Sequence, residues 1–143
     1  FAVYDMSYAA GVSASTIAIG TEVSISPERM LRIENAIASV DCGLAVNPEI
    51  VETQIAGGMI FGISNALHGE ITLIDVQVEQ SNFHDYPFLK LKDSPNIRVY
   101  IADSSDKNPN GIGEGAVPVA IAALMDAIAN GWRASHTKTT NSR

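Results

Sequence analysis

The sequence predicts an α+β fold, in which an antiparallel or mixed sheet carries two main helices. Three observations predict it. Apolar residues recur with a period of two over residues 15–25 and 97–102. After Asn47-Pro48 they recur at every fourth position. The resulting order is strands, helix, strands, helix, without the strict alternation of a doubly wound parallel sheet. No repeat or linker interrupts it. Residues 1–132 are therefore expected to form one domain or subdomain, and residues 133–143, "RASHTKTTNSR", a polar tail.

The elements follow in order. "FAVYDMSY" reads as strand, and a chain opening inside a strand pattern, with no secretory leader, suggests a segment of a longer protein. In "STIAIGTEVSI", Ile17, Ile19, Val23 and Ile25 share one parity, and Thr16, Ala18, Gly20, Glu22 and Ser24 the other. That alternation predicts a half-buried strand. "SPERM" is a charged turn, so a hairpin through Pro27 leads into a second strand, "LRIENAIASV". Leu31, Ile33, Ile37 and Val40 are its apolar residues, although Glu34–Ala38 also fits a helix.

Asn47 can cap a helix and Pro48 suits its first position. Glu49 and Glu52 favour the positive end of the dipole. Ile55, Met59, Ile63 and Leu67 supply the buried stripe of a helix over 48–67. Gly57, Gly58 and Gly62 fall inside it, each costing about 1 kcal/mol against Ala. They imply close approach of another backbone or a ligand. Next come a strand pair, "EITLIDVQVEQ", turning near Asp75, and a loop with aromatic anchors, "SNFHDYPFLKLKDSPN". "IRVYIA" is a strand and "DSSDKNPNGIGEG" a polar loop. "VPVAIAALMDAIANGW" is a helix with Pro118 near its start and Asn130-Gly131 closing its end.

Of 143 residues, 46% are hydrophobic, which favours a packed core over disorder. A net charge of −7 argues against nucleic-acid and anionic-membrane partners, since no basic stripe can replace counterions. The lone Cys42 excludes an internal disulfide and a cysteine zinc cluster. His68, His84 and His136 lack metal-ligand spacing, so no metal site is expected from the chain's own residues.

The stretch "NPNGIGEGAVP" carries the sharpest chemical question. "GIGEGA" partly matches a dinucleotide-binding turn, but residues 103–110 separate it from the preceding strand, and too little chain follows for the second strand and its acid. The loop can still cradle an anion, because a helix begins just beyond it. Glu114 is either a solvated loop charge or a carboxylate aimed into a cleft by flanking glycines. In a drier site it could take up a proton near neutral pH. Gln54 is either a surface amide or a two-sided hydrogen-bonding group for a flat polar cofactor. Cys42 fits a small buried hydrophobe better than a nucleophile. His84 and Asp85 could form a relay, but Phe83, Tyr86 and Phe88 suit loop packing.

Four motifs in order, "VDCGLAVNP", "QIAGGMIFGISNALHGEIT", "QSNFHDYPFLKLKDSPNIRVYI" and "NGIGEGAVP", resemble the carboxyl-terminal part of the molybdenum-binding subunit of the xanthine dehydrogenase/aldehyde oxidase family. They are most similar to the bacterial isoquinoline 1-oxidoreductase β-subunit type, over about residues 2–130. The resemblance implies a segment of a larger molybdopterin-binding domain in an oxidoreductase. Such a hydroxylase inserts water-derived oxygen into an N-heterocycle or aldehyde. By position, Glu114 is then the general base, Gln54 hydrogen-bonds the cofactor, and Ile112 and Gly113 are the backbone beside it. The cofactor implied is molybdopterin in its cytosine dinucleotide form. The partners implied are the remainder of the molybdenum subunit and an iron–sulfur subunit that accepts electrons. Location is left open between bacterial cytoplasm and periplasm.

Some residues depart from the family pattern. Ala122 and Asp126 stand where the family has proline and asparagine, and the usual Arg-x-Leu-Pro ending is absent. The chain is also far shorter than a complete subunit, so alone it is expected to bind no cofactor. The alternative is a non-catalytic remnant or stand-alone interaction domain that keeps the fold.

Overall fold

The computed structural model describes the backbone of residues 2–5 and 15–140, and the side chains of residues 15–132. Strands β1 (Ala2–Asp5), β2 (Thr16–Ile25) and β3 (Leu31–Asp41) lead into helix α1 (Pro48–His68). A small hairpin, β4 (Leu73–Ile74) and β5 (Gln77–Val78), a 3₁₀ turn at Leu91–Asp93, strand β6 (Asn96–Ile101) and helix α2 (Ala116–Thr140) follow. The main sheet has the order β1-β2-β3-β6. β1–β2 and β2–β3 pair antiparallel and β3–β6 parallel, so the sheet is mixed and the fold α+β, as expected.

The parallel pair requires a crossover, and α1 supplies it. Both helices join the sheet in one core. Ile17 and Ile19 from β2 and Ala36, Ala38 and Val40 from β3 face Ile55, Met59 and Ile63 of α1 and Val119, Ala120, Ala123 and Leu124 of α2. The opposite sheet face, with Ser39, Arg98 and Tyr100, is open.

The turn at 26–30, the β2–β3 hairpin and the strand pair turning at Asp75 lie where expected. Asp75 (φ 51°) and Val76 (φ 66°) make that last turn in the left-handed region, which matches the twist of a tight hairpin. α1 begins as its cap predicts: Asn47 accepts the Ile50 N–H at 3.2 Å.

The second strand forms as read and takes in Glu34–Ala38, the residues that also fitted a helix. Within it Ile37 is 44% exposed. The register explains it: Glu22 pairs with Asn35 but Val23 with Ile33, so Glu34 is an extra, bulged residue. The bulge shifts the buried parity from Ala36, Ala38 and Val40 to Ile33, which leaves Ile37 on the open face. Glu34 is held by the Ser24 hydroxyl at 2.6 Å. Contrary to expectation, Asn130-Gly131 does not end α2, which continues through Thr140 into the stretch read as tail. Gly131 lies close against β2: a Cβ there would sit 3.3 Å from Ile25 Cδ1.

The helical glycines divide by position. A Cβ on Gly58 would lie 3.0 Å from Ala116 Cβ, and one on Gly62 only 2.5 Å from the Val117 carbonyl oxygen. These two let α1 and α2 cross closely. Gly57 faces open space.

The loop after the hairpin is organised by Asp85. Its carboxylate accepts from the Ser81 N–H (2.9 Å), the Ser81 hydroxyl (2.8 Å) and the Asn82 N–H (2.9 Å). Phe83 and Tyr86 each pack on Phe88, with centroids 5.7 and 5.2 Å apart, so the aromatics do pack the loop. The Asn82 and Ser81 amides pull the Asp85 carboxyl from an ordinary 3.8 down to about 2. Because the folded value is depressed, this stabilisation is complete above about pH 4 and is lost as pH falls through about 2. An NMR titration following the Asp85 carboxyl carbon should show a midpoint near 2; a midpoint near 3.8 would mean the amides are not engaged.

Candidate active site

The loop bearing Glu114 is laid down on the end of β3. Asn110 N–H donates to the Cys42 carbonyl at 2.8 Å, and Leu44 N–H to the Asn108 carbonyl at 3.0 Å. Gly43 makes this contact possible. It sits at φ +65°, and a Cβ there would collide with the Asn108 carbonyl. Asp106 stiffens the same turn by accepting from Asn108 N–H at 2.9 Å and Asn108 Nδ2 at 3.1 Å. Ile112 then packs its side chain against the core.

Beyond that anchor the backbone emerges at Gly113. Its carbonyl accepts the Gln54 Nε2 hydrogen at 2.7 Å, a bond joining α1 to the loop across 59 positions of sequence. The Glu114 carbonyl accepts the Val117 N–H at 3.1 Å, in the first turn of α2. The Glu114 side chain is exposed. It borders a cleft of about 690 Å³ between α1 and this loop. From α1 come Thr53, Gln54, Gly57 and Phe61; from the loop, Gly113 and Glu114; from α2, Val117 and Pro118.

Two residues read from sequence, Gln54 and Glu114, thus meet in one cleft, with Gly113 bonded to the first and adjacent to the second. Ile112 is not among the lining residues and serves as the loop's apolar anchor. Sequence reasoning passed over Phe61 and left Gly57 open between another backbone and a ligand; the structure puts it on the cleft side. The signal was present: 54, 57 and 61 are spaced i, i+3, i+7 and share one face of a helix. Phe61 is 58% exposed, so much of its apolar ring is left to the cleft rather than to the core.

The remaining candidates behave as structural groups. Cys42 is buried, and burial first, then the Asp41 charge, pushes its thiol up, away from reactivity. His84 Nε2 lies 3.5 Å from Asp85 Oδ2, but Ser81 binds the same carboxylate directly. The acid sits between histidine and serine, so the histidine cannot relay the serine's proton. Among the described residues, no group of three His, Cys, Asp or Glu side chains could hold a metal ion.

Comparison with known proteins places this architecture. Residues 4–95 match the family model described as molybdopterin cofactor-binding domain. The β subunit of isoquinoline 1-oxidoreductase from Brevundimonas diminuta is 33% identical over 99 residues, covering 68% of this chain and 12% of that protein. Among solved structures, quinoline 2-oxidoreductase from Pseudomonas putida 86 superposes with a TM-score of 0.67 at 31% identity, over 80% of this chain and 15% of the other. CO dehydrogenase from Oligotropha carboxidovorans gives a TM-score of 0.77 at 19% identity, over 85% and 16%, which speaks for the fold alone. The chain belongs to the molybdopterin cofactor-binding domain family of molybdenum oxidoreductases, and it spans only about an eighth of the first of these relatives. The matched span includes Gln54, whereas Glu114 lies beyond it.

Proposed function

We propose that this chain supplies the base-bearing wall of a molybdenum hydroxylase active site, with Glu114 as general base. One observation carries the reading: a glycine-flanked carboxylate and an amide-bearing helix face share a single cleft. The cleft's surfaces fit a flat, polar cofactor. A Cβ added at Gly57 or Gly113 would meet nothing within 4 Å, so backbone is open to close approach on both walls. Among the described residues, Gln54 spends one N–H on Gly113 and keeps its second N–H and its oxygen for a ligand. When bound, the molybdenum–pterin group would supply the redox chemistry and the water-derived oxygen.

The chain's own residues then have simple tasks. Gln54 and the Gly113 backbone bind and orient the cofactor, with Ile112 anchoring that backbone from below. The Glu114 carboxylate would accept, at Oε1 or Oε2, the proton of the water-derived hydroxyl that the bound group supplies. Phe61 offers an apolar face to a planar substrate. The names isoquinoline and quinoline on the relatives support an N-heterocycle as substrate, with an aldehyde second. In this reading the site belongs to a unit spanning 1–132, the pterin is the cytosine dinucleotide, and the rest of the molybdenum subunit and an iron–sulfur subunit complete the enzyme. A non-catalytic remnant is the weaker reading, because Ala122 and Asp126 occupy exposed positions of α2 outside the cleft lining.

Gly57→Leu in the complete enzyme tests the cleft. The open surroundings of Gly57 leave the fold intact, while the new side chain fills the site. We expect turnover to fall by about 10²-fold or more with unfolding temperature unchanged or raised. Normal turnover would place the chemistry elsewhere.

A further inference from the structure

We infer that Gln54 is a positioning residue: its side-chain N–H fixes the peptide plane that carries Glu114. The inference rests on the proposed role of Glu114 as base.

Glu114 stands between two glycines, and glycine visits both hands of backbone space freely. With Gly113 before it and Gly115 after it, rotation at either neighbour would swing the Glu114 Cα–Cβ bond through a wide arc. Open surroundings at Gly113 provide no steric brake. Side-chain bulk therefore cannot aim the carboxylate; something must hold the backbone.

Two hydrogen bonds do so. On the amino side, the Gly113 carbonyl oxygen is held by Gln54 Nε2 at 2.7 Å. This oxygen and the Glu114 N–H belong to one rigid peptide plane, so fixing the oxygen fixes the plane. On the carboxyl side, the Glu114 carbonyl accepts Val117 N–H at 3.1 Å. Both peptide planes flanking the Glu114 Cα are thus pinned, one by each helix. The donor on α1 is well placed for the task. Gln54 lies one turn after Ile50 and one before Gly58, on a helix locked to α2 by the Gly58 and Gly62 contacts. A stiff helix holds a short amide, and the amide holds an otherwise loose loop.

This role differs from cofactor contact. A residue that only binds cofactor leaves the loop as it was when replaced. A positioning residue changes the loop even when no cofactor is bound, and lowers the turnover of each cofactor-loaded molecule.

The test uses Gln54→Glu and Gln54→Met in the complete enzyme, with Glu114→Gln alongside. Gln54 is exposed, so neither substitution disturbs the core. Gln54→Glu keeps size and an acceptor oxygen but loses the donor and sets a charge against the Gly113 carbonyl. Amide hydrogen exchange by mass spectrometry, on cofactor-free and loaded enzyme, should show peptides over residues 111–117 exchanging about 2- to 10-fold faster in both variants, with the sheet unchanged. Measured per molybdenum bound, the kcat should fall about 10- to 100-fold, beyond any loss of molybdenum and pterin content. Unchanged exchange at 111–117 would overturn the inference, as would activity lost only in step with cofactor. Normal turnover by Glu114→Gln is a separate outcome: it would sink the base reading and the catalytic purpose of the tether, whereas the exchange result speaks to the tether alone.

Discussion

Replacing Glu114 with glutamine in the complete enzyme should lower kcat by about 10²- to 10⁴-fold, the usual contribution of a positioned general base. The substitution preserves length, branching and both flanking glycines, and the backbone bonds of Gly113 and Glu114 do not involve the lost charge. Molybdenum content, pterin content and unfolding temperature should therefore stay near wild type. Glu114→Asp withdraws the carboxylate by one methylene, and a displacement of about 1 Å can cost about 10²-fold. It should fall between wild type and the glutamine variant. A solvated loop carboxylate, the bland reading of the same residue, predicts turnover within experimental scatter for both.

The second large effect separates the glycines of α1. By helix propensity alone, Gly→Ala should stabilise by up to about 1 kcal/mol. At Gly57 nothing opposes that gain, so Gly57→Ala should raise the unfolding temperature. Gly62 gives the opposite sign. Its Cβ would stand 2.5 Å from the Val117 carbonyl oxygen and 3.2 Å from Ala120 Cβ. Both are fixed parts of α2, not the free end of a flexible side chain, so the helices must separate. Overpacking of this kind costs about 1–3 kcal/mol, more than the propensity gain. Gly62→Ala should therefore destabilise by about 1 kcal/mol or more, a fall of several degrees on thermal unfolding. Val117 also caps the Glu114 carbonyl, so the same shift should disturb the base. Equal signs at the two positions would refute this account of the helix crossing.

Much of this architecture is legible in the residues themselves. The alternation of Ile17 and Ile19 with Thr16 and Ala18 yields a strand, and Asn47-Pro48 marks where α1 begins. Three features escape a local reading because their causes lie elsewhere in the chain. The β3 bulge at Glu34 depends on pairing with β2, and only that pairing explains why Ile37 turns outward. Asn130-Gly131 resembles a helix end, yet α2 runs on past it, with Gly131 lying close against Ile25. Gly43 looks like an ordinary strand-end glycine, and its purpose appears only when the Asn108 carbonyl is brought against it.

The candidate site divides in the same way. The pairing of Gln54 with Glu114 was suggested by an ordered set of motifs, not by periodicity. Their physical link through the Gly113 carbonyl joins positions remote in sequence, and no local pattern announces it. Phe61 could have been found by following the helix face from Gln54 through Gly57. The glycines around Glu114 remove bulk on both sides, and the neighbouring helices replace that bulk with hydrogen bonds.

The most direct test is the crystal structure of the complete, cofactor-loaded subunit. The account predicts the molybdenum centre inside the cleft walled by Gln54, Gly57 and Gly113, with the Glu114 carboxylate turned toward it and the Gln54–Gly113 hydrogen bond intact. A centre bound elsewhere, with Glu114 facing bulk water, would contradict it.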